Sequence, residues 1–477
     1  MPARLRLRRW PPELIALSAL ALVTRFWGLF HPHAVIFDEV YYEKFTADYL
    51  AHNFYVDVHP PLAEQIFALA AKCFHISIAT LAHPSPAPVL RIIPALAGAL
   101  IVPMCYVLLR RLGMSRQLAL FGGALLLFDN ALLVESRAIL PDSMLVFCGL
   151  TAVTVFLGAR RRTGRARWWR LAVAAAFAGL AVSFKWTGLN ALGIIGLIML
   201  VDAVRARGGW LTLLREGALV LAIPVAIYLS VFAVHFAWET HSGPGTMFMS
   251  GAFKATLVGS QNYDPNARMP FYKKFWELNR AMRLEDASMV GLENSSASAW
   301  YTWPTIQRPI TFWVDSSHAE GRQASVYLEG NPVVWYGIIV AIAIGAVGFW
   351  RRRERWRAWR EPALILGLAY VANFLPFAAI QRLMYQYSYF MAFVYSAGLA
   401  ALGLGVGAGW TGPEPLPDGA ADDGPLWQFP SRRSARLYWC LLALVVAGFI
   451  FFAPETYGWT TSEPAFQARF WLVQRHY

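Results

Sequence analysis

The stretch Phe37-Asp38-Glu39-Val40-Tyr41-Tyr42-Glu43, continuing through helix-compatible sequence to Asp57-Val58-His59-Pro60-Pro61-Leu62, decides how the chain is read. Five carboxylates (Asp38, Glu39, Glu43, Asp48 and Asp57) fall in it, directly after an apolar run over residues 13–30. Acids beside a membrane span are costly unless they face water, a countercharge or a substrate. The stretch is therefore the candidate reaction centre, and the rest of the chain is read as its frame.

The frame is a membrane protein. Of 477 residues, 57% are hydrophobic and only 15% charged, and the mean hydropathy is +0.42. Soluble domains carry roughly 25% charged residues. Twenty Trp and nineteen Tyr suit aromatic belts at two membrane surfaces. The net charge of +13 sits in short arginine runs between apolar spans, which is the pattern of cytoplasmic connectors and argues against a nucleic-acid partner. Cys73, Cys105, Cys148 and Cys440 are scattered with no CxxC pair, so neither a disulfide framework nor a zinc site is expected. No GxxxxGKS or GxGxxG loop occurs, which leaves a nucleotide-driven reaction without a site. The start, Arg4-Leu5-Arg6-Leu7-Arg8-Arg9, resembles a signal peptide, but the apolar run behind it contains Arg25 and lacks a small-residue cleavage site. An uncleaved first span with a cytoplasmic N-terminus is expected.

Apolar stretches long enough to cross a bilayer fall near residues 13–30, 89–109, 117–134, 143–159, 170–187, 188–204, 217–237, 332–350, 362–380, 386–409 and 437–453, about eleven in all. The arginine-rich connectors, such as Arg160-Arg161-Arg162 and Arg351-Arg352-Arg353, then all share the side of the N-terminus. The other side receives two long loops, 31–88 and 238–331, and the C-terminus. The predicted class is an all-α polytopic membrane protein. Residues 1–410 form its main module, 411–434 a Pro/Gly/Asp-rich cytoplasmic linker, and 435–477 a last span with an external tail. Within the first loop, residues 63–81 read as an amphipathic segment lying along the interface.

Polar residues that do not belong at membrane depth gather on the external side: Arg25, Asp38, Glu39, His59, Arg91, Asp129, Glu135, Arg137, Asp142, Lys185 and Arg382. Acids and arginines converging on one face suit a lipid-linked phosphate substrate, because arginine binds phosphate bidentately and a carboxylate can deprotonate an acceptor. The bland alternative is a set of interfacial charges and helix-end ion pairs.

These residues fall into ordered motifs. The Asp38-Glu39 pair, His59-Pro60-Pro61-Leu62, Arg91-Ile92-Ile93-Pro94-Ala95-Leu96, Glu135-Ser136-Arg137 with Asp142, Lys185-Trp186-Thr187-Gly188, Trp300-Tyr301-Thr302-Trp303-Pro304 with Arg308-Pro309, and Gly330-Asn331-Pro332 together resemble the protein O-mannosyltransferase family, bacterial members in particular, over nearly the whole chain. The resemblance implies a GT-C fold, a polyprenyl-phosphate sugar donor, and Ser or Thr hydroxyls of exported polypeptides as acceptors, with coupling to the secretion translocon. The site would then lie on the periplasmic or extracellular side of the cell's inner membrane, among membrane lipids. Two departures are visible: the family continues His-Pro-Pro-Leu with Gly-Lys where this chain has Ala63-Glu64, and the loop 238–331 is too short to hold the MIR domain of the eukaryotic enzymes, which fits a bacterial member.

On that resemblance, Asp38 is the expected general base, with Glu39 positioning it or a sugar hydroxyl. Arg25 and Arg91 would bind the donor phosphate or hold the acidic loop, and Arg137 and Arg382 could supply the same charge. Glu135 and His59 would support the donor or sugar site, while Trp300, Tyr301 and Trp303 would form an acceptor platform. A phosphate leaves without a second carboxylic acid, so one base and a single inverting step are sufficient. No metal or other cofactor is expected, since adjacent acids on a helix do not readily ligate one ion. Two rivals are a GT-C transferase with a glycolipid acceptor, of the lipid-A aminoarabinose type, and a transporter or flippase. Transporters tend to show repeated halves, and none is visible here.

Overall fold

The computed structural model describes residues 11–82, 87–206, 209–315, 321–351, 353–412, 414–416 and 426–469. Of the expected 411–434 linker, residue 413 and residues 417–425 lie outside the described residues.

The first half of the chain contributes α1 (Pro12–Phe26), α2 (Glu39–Ala51), α3 (Leu62–Cys73), α4 (Ile78–Ala82), α5 (Ile92–Arg111), α6 (Arg116–Leu127), α7 (Asn130–Glu135), α8 (Asp142–Arg160), α9 (Gly164–Phe184), α10 (Leu189–Arg205) and α11 (Trp210–Trp238). The second contributes α12 (Gly251–Lys254), α13 (Phe271–Ser288), α14 (Pro332–Arg351), α15 (Arg353–Arg357), α16 (Arg360–Phe374), α17 (Phe390–Ala408), α18 (Arg432–Tyr457) and α19 (Glu463–Gln467). Among the described residues, eight helical segments are long and apolar enough to cross a membrane. The three other expected spans are also helical, but α1 has 15 residues, α6 has 12, and α9 opens with Arg165, Arg167 and Arg170. The expected span over 117–134 is broken because Asp129 starts a new helix. Its Oδ1 accepts from the Leu132 N–H (2.8 Å) and its Oδ2 from Trp335 Nε1 (2.6 Å) and the Asn331 N–H (3.2 Å). The Gly330-Asn331-Pro332 motif thus docks on Asp129 as a structural clasp.

The helices α8 and α17 are almost wholly buried and form the middle of the bundle, whereas α11, α14 and α18 expose most of their surface, as lipid-facing helices do. Without a hydrophobic drive between helices in lipid, close approach depends on small residues. Between α14 and α17 it is near its limit: a Cβ at Gly403 would come within 2.7 Å of the Ala341 carbonyl oxygen.

The two long loops pack on each other at one end of the bundle. The Phe54 N–H donates to the His241 carbonyl and the His241 N–H to the His52 carbonyl (both 2.9 Å). The second loop also carries sheet structure that the all-α reading missed. Ile310–Asp315 (β1) pairs antiparallel with Arg322–Leu328 (β2), and Thr461–Ser462 (β3) from the tail adds to its other edge. Alternating apolar residues drive the pairing: Ile310 and Phe312 of β1 and Val326 and Leu328 of β2 are buried.

Candidate active site

The adjacent acids Asp38 and Glu39 have opposite fates because α2 begins between them. Glu39 is the first helical residue and is wholly buried. Its carboxylate accepts from Arg91 Nε (2.7 Å) and Nη2 (2.8 Å) and from the backbone N–H groups of Ile36 (3.0 Å) and Ile139 (2.9 Å). Arg91, itself 1% exposed, donates its remaining N–H groups to the carbonyls of Leu29 (3.5 Å), Pro32 (3.0 Å) and Ala34 (2.8 Å). All five guanidinium donors are taken. Arg91 therefore holds the acidic loop, the second of the two roles its sequence allowed, and has no donor left for a phosphate in this structure.

Arg25 and Arg137 continue the same brace. Arg25 is fully buried and donates to Thr24 Oγ1 (2.8 Å) and to the carbonyls of Leu127 (3.0 Å) and Leu126 (3.1 Å). Arg137 caps the end of α1 through the carbonyls of Arg25 (3.0 Å), Trp27 (2.6 Å) and Gly28 (2.8 Å), and lies over the Tyr457 ring. Neither lines a cavity among those described, so their expected phosphate contacts have no geometric support. Sequence shows their charge but not that carbonyls at these helix ends would take most of their hydrogen bonds.

Asp38 occupies the cap position of α2 without making a capping hydrogen bond. Phe37, just before it, has φ 46°, a left-handed conformation that costs a non-glycine residue on the order of 1–3 kcal/mol. The surroundings impose it. The Phe37 N–H donates to the Phe312 carbonyl (2.9 Å), and its ring stacks on Phe312 (4.5 Å) with Tyr385 and Tyr387 edge-on at 6.5 and 6.1 Å. The backbone leading into Asp38 is thus held, while its carboxylate makes no capping bond. Burial pushes it up to about 6, with Lys185 pulling it down and Asp142 pushing it up.

Lys185, Asp142, Tyr385 and Tyr387 belong to the wall of a cavity of about 180 Å³, along with His59 and Arg382. Lys185 stands at the break between α9 and the 3-10 turn Trp186–Gly188, with extended backbone. Its Nζ donates to both Asp142 oxygens (2.9 and 2.7 Å) and lies 5.1 Å from the centre of the Tyr387 ring. Arg382 Nε pairs with Asp286 (2.6 Å), which lines the same cavity. Burial, and then Lys185 and Arg382, hold the His59 imidazole well below its usual range, so it is neutral. Burial, and then Asp142, push the Glu135 carboxyl well above the usual carboxylate range, and burial, and then Asp57, do the same for Glu64. Of the residues expected from sequence, the structure brings Asp38, His59, Glu135 and Arg382 into one charge cluster. It adds Lys185 and Asp142 as the central ion pair, together with Asp57, Glu64, Tyr385, Tyr387 and Asp286. Lys185 and Asp142 were visible as misplaced charges; nothing in the sequence marked Asp286. Among the described residues, no three His, Cys, Asp or Glu side chains converge as a metal-holding group.

A wider groove of about 1070 Å³ adjoins the cavity and shares Ile380, Arg382, Leu383 and Met384 with it. Trp300 and Tyr301 line it, and Tyr301 is 67% exposed. Trp303 does not. It is buried, donates from Nε1 to Ser298 Oγ (3.0 Å), and packs edge-on against Phe377, a residue of the cavity wall (4.9 Å). The three-residue platform expected from sequence is therefore two residues on the groove and one behind the wall.

Solved structures share this fold. The protein O-mannosyltransferase complex of S. cerevisiae bound to the sugar donor superposes with a TM-score of 0.82 over 98% of this chain and 92% of that one, at 17% identity. ArnT of Cupriavidus metallidurans bound to undecaprenyl phosphate gives 0.52 over 94% of this chain and 74% of that one, at 16% identity. The fold is that of the polytopic GT-C membrane proteins.

Two family models cover most of the sequence: dolichyl-phosphate-mannose-protein mannosyltransferase over residues 15–238, and the C-terminal four-span region of protein O-mannosyltransferase over 271–475. The chain belongs to the protein O-mannosyltransferase family. It is 36% identical over 265 residues to protein O-mannosyl-transferase 1 of Danio rerio (52% of this chain, 37% of that protein). It is 32% identical over 266 residues to dolichyl-phosphate-mannose–protein mannosyltransferase 1 of Candida albicans (52% and 30%). The matched stretch spans about a third of the length of these curated relatives.

Proposed function

We propose that this protein is an inverting glycosyltransferase that moves mannose from a polyprenyl-phosphate donor to Ser or Thr hydroxyls of exported polypeptides, with Asp38 as general base. The observation that carries the reading is the carboxylate of Asp38, free of a capping bond and within the electrostatic reach of Lys185, which lines the cavity together with Arg382. The acceptor hydroxyl gives its proton to Asp38 as its oxygen bonds to the anomeric carbon. The bond from that carbon to the phosphate oxygen breaks, and the lipid phosphate leaves with the electron pair. Lys185 and Arg382 are the cations available to neutralise it. A carboxyl titrating near the working pH is suited to taking the proton. No divalent ion is needed for this step, because the phosphate is already a good leaving group.

The reading takes the site to face outward, with the N-terminus in the cytoplasm, as the arginine runs between spans require. The membrane is then the cell's inner membrane, and the acceptor an extended segment emerging from the secretion translocon. The groove beside the cavity, with Trp300 and Tyr301, is open enough to receive such a chain.

Asp38→Asn in the full chain, assayed with labelled polyprenyl-phosphate mannose and a Ser/Thr-rich peptide, should lose at least the 10²–10⁴-fold that a general base contributes. Membrane insertion and melting temperature should be unchanged. Retained turnover removes Asp38 as base. Label appearing in a glycolipid instead of the peptide overturns the acceptor assignment. Turnover that is lost in a chelator and restored by one divalent metal overturns the metal-free step.

A further inference from the structure

Helix α13 carries a surface that the transfer reaction does not use. One face of it is core: Leu278, Ala281 and Met282 are buried. The other face presents Tyr272, Trp276 and Leu284 at 60%, 64% and 62% exposure, spaced four and eight residues apart so that they share one side of the helix. The same side carries Lys273, Arg280 and Arg283. Across from it stand Met247 and Phe248, also exposed, and the space between holds about 760 Å³ lined by Phe248, Lys273, Trp276, Arg280 and Arg283 among others. Glu277 lines it too, but its carboxylate is engaged by the N–H and hydroxyl of Ser250 (3.0 Å for the hydroxyl).

The position of α13 says what meets this surface. The helix runs antiparallel to the end of α11: Phe271 packs against Phe236 (6.0 Å between ring centres), Phe275 against Phe232 (5.0 Å), and Asn279 Oδ1 accepts from the Tyr228 hydroxyl (3.3 Å). With 29 residues, α11 is about 43 Å long at 1.5 Å per residue, against a hydrocarbon core of about 30 Å. Arg215 and Glu216 put the excess length at its start, and its last turns, against which Phe271 and Phe275 pack, form the outer end of the apolar stretch, beside the headgroup layer. Exposed aromatics interleaved with cations at that depth match the chemistry of an interfacial lipid contact.

We propose that the outward face of α13, with Met247 and Phe248, is a binding site for the headgroups of anionic phospholipids. Tyr272, Trp276 and Leu284 enter the glycerol and upper acyl region, while Lys273, Arg280 and Arg283 take the phosphate and any further negative charge. The last turn of the same helix supplies Asp286, so the lipid contact and the wall of the cavity are ends of one rigid element.

The test uses the full chain in vesicles, with C73S and C440S removing the exposed native thiols and Tyr272→Cys carrying an environment-sensitive fluorophore. Quenching is compared for a nitroxide placed high on the acyl chain of phosphatidylglycerol or of phosphatidylcholine. The phosphatidylglycerol probe should quench more strongly, and K273Q, R280Q and R283Q should each reduce that preference roughly fivefold, the factor corresponding to about 1 kcal/mol per basic residue at an anionic surface. Equal quenching by the two lipids in the chain with its cations intact overturns the proposal. So does a preference that survives in the triple variant with an unchanged melting temperature. A buried fluorophore that neither probe quenches shows the face covered by protein, and also overturns it.

Discussion

Replacing Arg91 separates a phosphate ligand from a brace. Its guanidinium is 1% exposed and makes two contacts to the buried carboxylate of Glu39 and three to backbone carbonyls of residues 29–34. Arg91→Ala leaves that carboxylate without its countercharge and the three carbonyls without donors. Breaking a buried pair from one side costs about 3–5 kcal/mol, a large part of a typical total of about 5–15 kcal/mol. The loop it ties down leads straight into Phe37, whose left-handed backbone depends on its surroundings. Arg91→Ala should therefore lower the melting temperature and membrane yield sharply. Arg91→Lys should also destabilise, because one ammonium cannot satisfy five acceptor directions. The assay is thermal unfolding of the purified full chain, with the apparent donor affinity measured on whatever folded fraction survives. The expected outcome is a large loss of stability with donor affinity unchanged in the folded Arg91→Lys protein. An unchanged melting temperature with a several-fold weaker donor affinity would refute the brace and return Arg91 to the phosphate.

Transfer should also follow the ionisation of Asp38. The base works as a carboxylate and its titration is pushed up to about 6, so kcat/KM should be full above that pH and fall about tenfold per unit below it. Lys185→Met removes the cation that pulls the value down, and should shift the limb to higher pH. A limb near the ordinary aspartate value of about 3.9 would contradict the assignment. Tyr301→Ala, at an exposed groove position, should raise the acceptor KM while leaving melting and donor affinity alone. Trp303→Ala should instead destabilise by about 3–5 kcal/mol, the usual cost of emptying a large buried aromatic site; equal effects on acceptor KM from both variants would put Trp303 on the groove after all.

Much of this was legible from the sequence because membranes constrain it heavily. Long apolar runs and arginine-rich connectors gave the bundle and the shared face of the two long loops. The helix breaks were harder. The span expected over 117–134 ends early because Asp129 finds partners in Asn331 and Trp335 about two hundred residues away, and no local pattern announces that. The short sheet was hidden for a similar reason: β2 meets β3 only through a two-residue piece of the tail. At the site, sequence identified the charges but not their directions. Asp38 and Glu39 are adjacent, but Asp38 sits at the cap position with its carboxylate uncommitted, whereas Glu39 opens the first turn and is spent on Arg91. For the arginines, too, sequence left the partners open: a guanidinium near an acidic loop suits a phosphate or the loop itself, and in Arg91 two donors go to the Glu39 carboxylate and three to carbonyls.

Glu64 shows how a departure from the family pattern can make physical sense. Where the family pattern expected from the sequence has a lysine after a glycine, this chain buries a carboxyl completely, near Asp57 and Lys185. An ionised acid there would oppose the negative donor phosphate and add to the repulsion among Asp38, Asp57 and Asp142. Burial, and then Asp57, push its titration well above the usual carboxylate range, which disfavours the charged form. The cationic task then rests on Lys185 and Arg382. Lys185 is already held by Asp142 on one side, and Arg382 by Asp286. Each cation that could meet the phosphate is therefore partnered by an acid that keeps it in place when the donor is absent, and this arrangement spares the cavity an unpaired buried charge between turnovers.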